Sequence, residues 1–163
     1  MSRRWKISIK AADRHIILIH TLGHAEAALS MADALGLAIT LRSAPGSAHY
    51  AGLAFLKALF DGAAQTCPKA HHSVILDCGD DAALAHRAMV MGFRRIAFAG
   101  SGAMRDKLAH IAAKCGAKLA PARAPADALD LLDSHDPAGT CAAYLKLRKA
   151  QKIGKNRVLR QGD

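Results

Sequence analysis

Apolar and polar positions fall in blocks along the chain. Four nearly unbroken apolar runs stand out: "HIILIHT" (15–21), "LAITLRSA" (37–44), "SVILDCG" (73–79) and "RIAFAGS" (95–101). A fifth, "AKLAP" (117–121), is shorter. Their cores are aliphatic and β-branched on consecutive positions, so both faces of each strand must be covered. That is the pattern of a parallel sheet. The expected sheet core is Leu18, Ile19, Ile39, Val74, Ile75, Ile96 and Phe98. "WKISIK" (5–10) alternates at period two and predicts an additional edge strand.

Helical spacing fills the gaps between the runs. Ala25, Leu29, Ala32 and Leu35 form one face, with Gly36 as the stop. Leu53, Leu56 and Phe60 precede Gly62; Leu84, Ala85, Ala88 and Met89 precede Gly92; Met104, Leu108, Ile111, Ala112 and Cys115 precede Gly116. Glycine just past a helix takes the left-handed cap conformation without a Cβ penalty. Pro125 predicts a fifth helix to about Ser134. Asp136-Pro137 precedes a sixth over 139–153, with Gly154 as its stop.

Strand and helix therefore alternate through the body. The expected fold is a single doubly wound α/β domain with a mostly parallel five-stranded sheet and an added C-terminal helix. The flavodoxin-like strand order 2-1-3-4-5 is expected. The chain divides into a basic N-terminal segment (1–14), the α/β body (15–138) and a basic C-terminal helix and arm (139–163).

Composition sharpens this picture in three ways. The chain of 163 residues is 52% hydrophobic but only 4% aromatic, so alanine-rich helices must pack closely. No apolar run approaches the roughly 20 residues of a membrane helix, and no signal peptide is evident. Cys67, Cys78, Cys115 and Cys141 form no C-x-x-C pair, which fits reduced thiols in the cytoplasm.

The net charge of +10 sits at the two ends. Arg3, Arg4, Lys6 and Lys10 occur with no acid in the first ten residues. Lys146, Arg148, Lys149, Lys152, Lys155, Arg157 and Arg160 face only Asp163 in the last twenty. The remaining charges cancel. Basic ends on a neutral body either keep the chain soluble or attract nucleic acid or an acidic partner.

Ligands of open parallel sheets bind at the carboxyl ends of the strands, where the strand order reverses. With order 2-1-3-4-5 that point lies between the first and third strands. His20, Thr21, Gly23 and His24 follow the first strand, and Asp77, Cys78, Gly79 and Asp80 end the third. Ser43, Ser47, His49 and Tyr50 follow the second. His20 or His24 could act as general acid–base with Asp77 as orienting carboxylate. Cys78 is a candidate nucleophile if a helix N-terminus lowers its pKa, and otherwise a buried, inert thiol.

The corner Gly100-Ser101-Gly102 presents backbone N–H groups at a helix start, with Arg105 one turn on. It is either an anion seat or a plain Ser101 N-cap. The corner is neither G-x-G-x-x-G nor a P-loop. No set of ligands at metal spacing is evident, and the sequence names no cofactor. Asp77 ends its strand where receiver domains carry a phospho-accepting aspartate. His20-Thr21 stands where those domains carry an acidic pair, which excludes that magnesium-assisted chemistry.

Two functions remain. The first is a domain that binds a small or anionic ligand, as a binding protein or a small enzyme, at the carboxyl edge of the sheet. The second is a non-enzymatic binding or assembly protein working through its basic termini.

Overall fold

The computed structural model describes residues 12–159, with side chains described through Gln151. The expected strand at 5–10 and residues 1–11 of the basic N-terminal segment lie outside the described residues. The chain is an α/β domain built on an open, all-parallel sheet. The strands are β1 (Ile16–Ile19), β2 (Ile39–Ser43), β3 (His72–Asp77), β4 (Arg95–Ala97), β5 (Lys118–Ala120) and β6 (Leu129–Asp130). The helices are α1 (Leu22–Leu35), α2 (Ser47–Tyr50), α3 (Leu53–Thr66), α4 (Ala82–Val90), α5 (Gly102–Lys114) and α6 (Pro137–Leu159).

The sheet has six strands, not five, in the order β5-β4-β3-β2-β1-β6. This corrects the expected 2-1-3-4-5. From β1 the chain steps one way to β5, then returns to pair β6 with the free side of β1. A doubly wound parallel fold still fits, because the winding leaves β1 in both directions. Right-handed crossovers then put the helices between β1 and β5 on one face. Residues from α1, α3, α4, α5 and α6 accordingly share one apolar cluster with Ile17, Ile39, Leu41, Leu76 and Ile96. Of the expected sheet core, all but Val74 are buried, and Val74 still packs against this cluster.

The opposite face is more polar than its apolar neighbours suggest. There the buried Ile75, Ala97 and Ala120 form a small separate cluster. Beside them Arg42, only 2% exposed, donates to Asp77 Oδ2 (2.8 Å) and to the carbonyls of Pro121 (3.0 Å) and Ala122 (2.6 Å). The β5–β6 connection is thus pinned to the centre of the sheet. Nearer the amino ends, Arg95 grips both oxygens of Asp13 at 2.8 Å and donates to Ser73 Oγ at 2.9 Å. Thr40 joins the same network through Asp13 and Ser73.

Three expected helix stops hold. Gly36 (φ 63°) caps α1, while Gly92 and Gly116 take positive φ just beyond α4 and α5. Gly62 and Gly154 do not stop their helices: α3 continues to Thr66 and α6 to Leu159. An interior glycine costs about 1 kcal/mol against alanine but does not forbid helical φ, so packing along the rest of the helix decides. The helix expected from Pro125 to Ser134 is absent; β6 occupies that stretch. Pairing Leu129 and Asp130 with Ile17 and Leu18 satisfies backbone groups that would otherwise form the sheet edge. The C-terminal helix packs along α1, with Cys141 and Leu145 fully buried.

Candidate functional site

The sheet order moves the reversal point. β1 and β3 are separated by β2, so His20 and His24 are not neighbours of Asp77 and Cys78 as the expected order implied. The direction of winding reverses between β1 and β6 instead. The carboxyl ends of these two strands are where a parallel sheet of this kind presents its ligand site.

Four of the expected residues stand there. His20 follows β1, and Thr21 N-caps α1, its Oγ1 accepting the His24 N–H at 3.2 Å. Gly23 and His24 lie in the first turn of α1, which contains no acidic residue. A further group comes from β6: Asp130 Oδ1 lies 2.7 Å from His20 Nε2 and also accepts the Leu132 N–H at 2.9 Å. The His20 N–H donates to His24 Nδ1 at 3.3 Å, and the two rings meet edge to face at 6.0 Å. Burial, and then the neighbouring His20, lower the pKa of His24, against a smaller raising effect of Asp130. His24 is therefore neutral near pH 7, with Nδ1 as acceptor and the hydrogen on Nε2. For His20, a carboxylate at Nε2 favours the tautomer protonated there and leaves the Nδ1 lone pair as base. In that tautomer the cluster can offer an acceptor nitrogen on His20 beside a neutral donor on His24. Sequence reasoning missed Asp130 because its segment was read as helix; the available signal was an acid at the end of a short apolar run.

A second group gathers at the ends of β2 and β3. Asp77 is occupied on both oxygens: Oδ1 accepts the Gly46 (2.8 Å) and Gly79 (3.0 Å) N–H groups, and Oδ2 faces Arg42. Ser47 donates to Ser43 Oγ at 2.7 Å, which in turn accepts the Asp77 N–H. These contacts fasten the β2–α2 turn to the end of β3. Cys78 lies in the core, and burial, then Asp77 and Asp81, push its thiol up to about 12. It remains protonated at neutral pH, with none of the thiolate character a nucleophile needs. Gly79 takes a positive φ beside Gly46, and Asp80 is exposed. His49 is exposed and 3.8 Å from Asp81, the N-cap of α4.

The third group is the Gly100-Ser101-Gly102 corner after β4. Ser101 Oγ accepts the Met104 N–H at 3.4 Å, as an N-cap does. Arg105 does not reach out from the corner. Its guanidinium donates to the carbonyls of Phe98 and Ala120, both at 2.8 Å, tying β4 to β5.

Among the described residues no three His, Cys, Asp or Glu side chains converge to hold a metal ion. Nor is any helix among them long and apolar enough to cross a membrane. Two cavities among the described residues lie away from the carboxyl edge. One of about 420 Å³ opens at the amino ends of β3, β4 and β5. The other, about 560 Å³, runs along α5 and the β5 edge between Arg105 and Leu119. The residues define the class of the protein, an α/β domain on a six-stranded parallel sheet, and sequence comparison carries it no further. The sequence matches no protein-family model and no curated protein.

Proposed function

We propose that this domain binds a small polar ligand in the crevice between the carboxyl ends of β1 and β6, and that it performs proton-transfer chemistry there. The observation that carries the proposal is the His20–Asp130 contact across the reversal of the sheet. Asp130 orients the imidazole as the carboxylate of a catalytic dyad does, and His20 acts as general base. His24 donates through Nε2 to the ligand, and the first turn of α1 offers its free N–H groups. The anion-binding character first expected at the Ser101 corner belongs, in this proposal, to the Thr21 end of α1. The four cysteines are free thiols, which supports work in the reducing cytoplasm.

The test is a thermal-shift screen with phosphates, nucleotides and divalent metals on the wild type, His20→Asn and Ser101→Ala. A ligand at a hundred times its Kd adds about 2.7 kcal/mol to apparent stability. The expected result is stabilisation by one class, lost in His20→Asn and kept in Ser101→Ala. Stabilisation indifferent to His20, or lost only with Ser101, would reject the crevice as the site.

A second function is favoured by the unbroken course of α6. The stretch from Lys146 to Arg157 carries six basic residues and no acid, on backbone that stays helical to Leu159. A chain ending at Gln151 loses Lys152, Lys155, Arg157 and Arg160. If this helix binds nucleic acid, duplex titrations will show log K falling with log salt, by about 0.9 per phosphate neutralised. Truncation will flatten that slope by roughly 2–4. Equal slopes for the two chains would leave solubility as the role of the charge.

A further inference from the structure

The 420 Å³ cavity lies at the edge of the sheet opposite the crevice, and neither function proposed above uses it. Its volume falls in the ordinary range for small-molecule sites, roughly 300–1,000 Å³. Phe60 and Phe93, stacked edge to face at 6.4 Å, form its apolar floor with Val74. Both rings are more than nine-tenths buried, so the floor is fixed by the core rather than by mobile loops.

Its rim carries cations that the neighbouring acids do not all neutralise. Lys57 is paired with Asp61, and Arg95 holds both oxygens of Asp13. That leaves Arg94 and Lys118, both exposed and both lining the cavity; Lys118 is in register with Arg95, so the two cations flank the cavity from the two faces of the sheet end. Arg94 uses one guanidinium nitrogen on the carbonyls of Cys115 and Gly116. Lys118 has no ion pair or side-chain hydrogen bond among the described residues. Two helices, α4 and α5, end close by, at Val90 and Lys114, and each brings at most about half a negative charge. Two positive side chains with no acid as partner among the described residues outweigh that.

We infer that this cavity is a binding site for a small amphipathic anion: an aromatic or branched apolar body against Phe60, Phe93 and Val74, and one carboxylate or similar group between Arg94 and Lys118. The apolar floor adds affinity in proportion to the area a ligand covers, and the two cations select for charge.

The test uses the full chain, uniformly labelled with ¹⁵N, and three probes: 2-naphthoate, the neutral 2-naphthalenemethanol, and acetate. The expected result is saturable shifts with 2-naphthoate at the amides of Gly92, Phe93, Gly116 and Lys118. The neutral probe will bind at least tenfold more weakly, and acetate will give no saturation. Lys118→Glu, a surface change that leaves the floor intact, will weaken 2-naphthoate at least tenfold while the spectrum elsewhere is unchanged. Shifts centred on other residues, neutral and anionic probes of equal affinity, or no saturation by 2-naphthoate at millimolar concentration would each overturn the assignment. So would unchanged binding by Lys118→Glu.

Discussion

Replacing Arg42 with methionine will lower the stability of the fold by about 3–5 kcal/mol, seen as a reduced midpoint in urea with little change in slope. The side chain is 2% exposed and lies on the central strand β2. Its loss leaves the Asp77 carboxylate buried without its cation, and leaves the Pro121 and Ala122 carbonyls without their donor. Methionine keeps much of the volume, so the loss reports the orphaned polar groups rather than a cavity. The double change Arg42→Met with Asp77→Asn will recover part of it, because the uncompensated charge is gone while the amide oxygen can still accept from Gly46 or Gly79. A single change costing under 1 kcal/mol would mean that water reaches Asp77.

The same pair bears on the strand order, which the apolar pattern alone left hidden. Periodicity reports that a strand is buried on both faces; it does not report its neighbour. Thus β1 to β5 were all legible, and the order 2-1-3-4-5 was not. One residue did carry information. An arginine in the middle of an apolar strand needs a carboxylate on an adjacent strand, and Asp77 at the end of the third run was the available one. Arg42 pairs across from Ile75, which sets β2 beside β3. Read physically, "LAITLRSA" excluded an edge position for its strand.

The candidate site was half legible for a related reason. His20, Thr21, Gly23 and His24 follow from the end of an obvious strand. Asp130 does not, because β6 is two residues long and too short to show any period. Its neighbours Leu129, Leu131 and Leu132 fit a helical face as well as a strand. Only the long-range pairing with β1 decides between them, and that pairing is a tertiary fact. Asp77 misled for the opposite reason. A carboxylate at a strand end has the right place for catalysis, yet here both oxygens are spent on the Gly46 and Gly79 amides and on Arg42.

Phe98→Ala will cost about 3–5 kcal/mol, the range for truncating a buried aromatic side chain. Phe98 is 1% exposed and joins the main apolar cluster just past β4. Its ring also accounts for the first glycine of the corner that follows. Gly100 does not have a positive φ, so its backbone demands no glycine. Space does: a β-carbon at position 100 would lie 2.8 Å from Phe98 Cε1 and nearer still to Cζ. Gly100→Ala in the wild type must therefore push the ring aside, at about 1–3 kcal/mol. In the Phe98→Ala background the same substitution will cost close to nothing, giving a coupling of about 1–3 kcal/mol in a double-mutant cycle followed by urea denaturation. If instead the corner were glycine-rich for a ligand's approach, the cost of Gly100→Ala would appear in ligand affinity and not depend on the ring. Additive stabilities in the cycle would favour that alternative. Strong coupling assigns Gly100 to the packing of Phe98 and leaves Ser101 as the N-cap of α5.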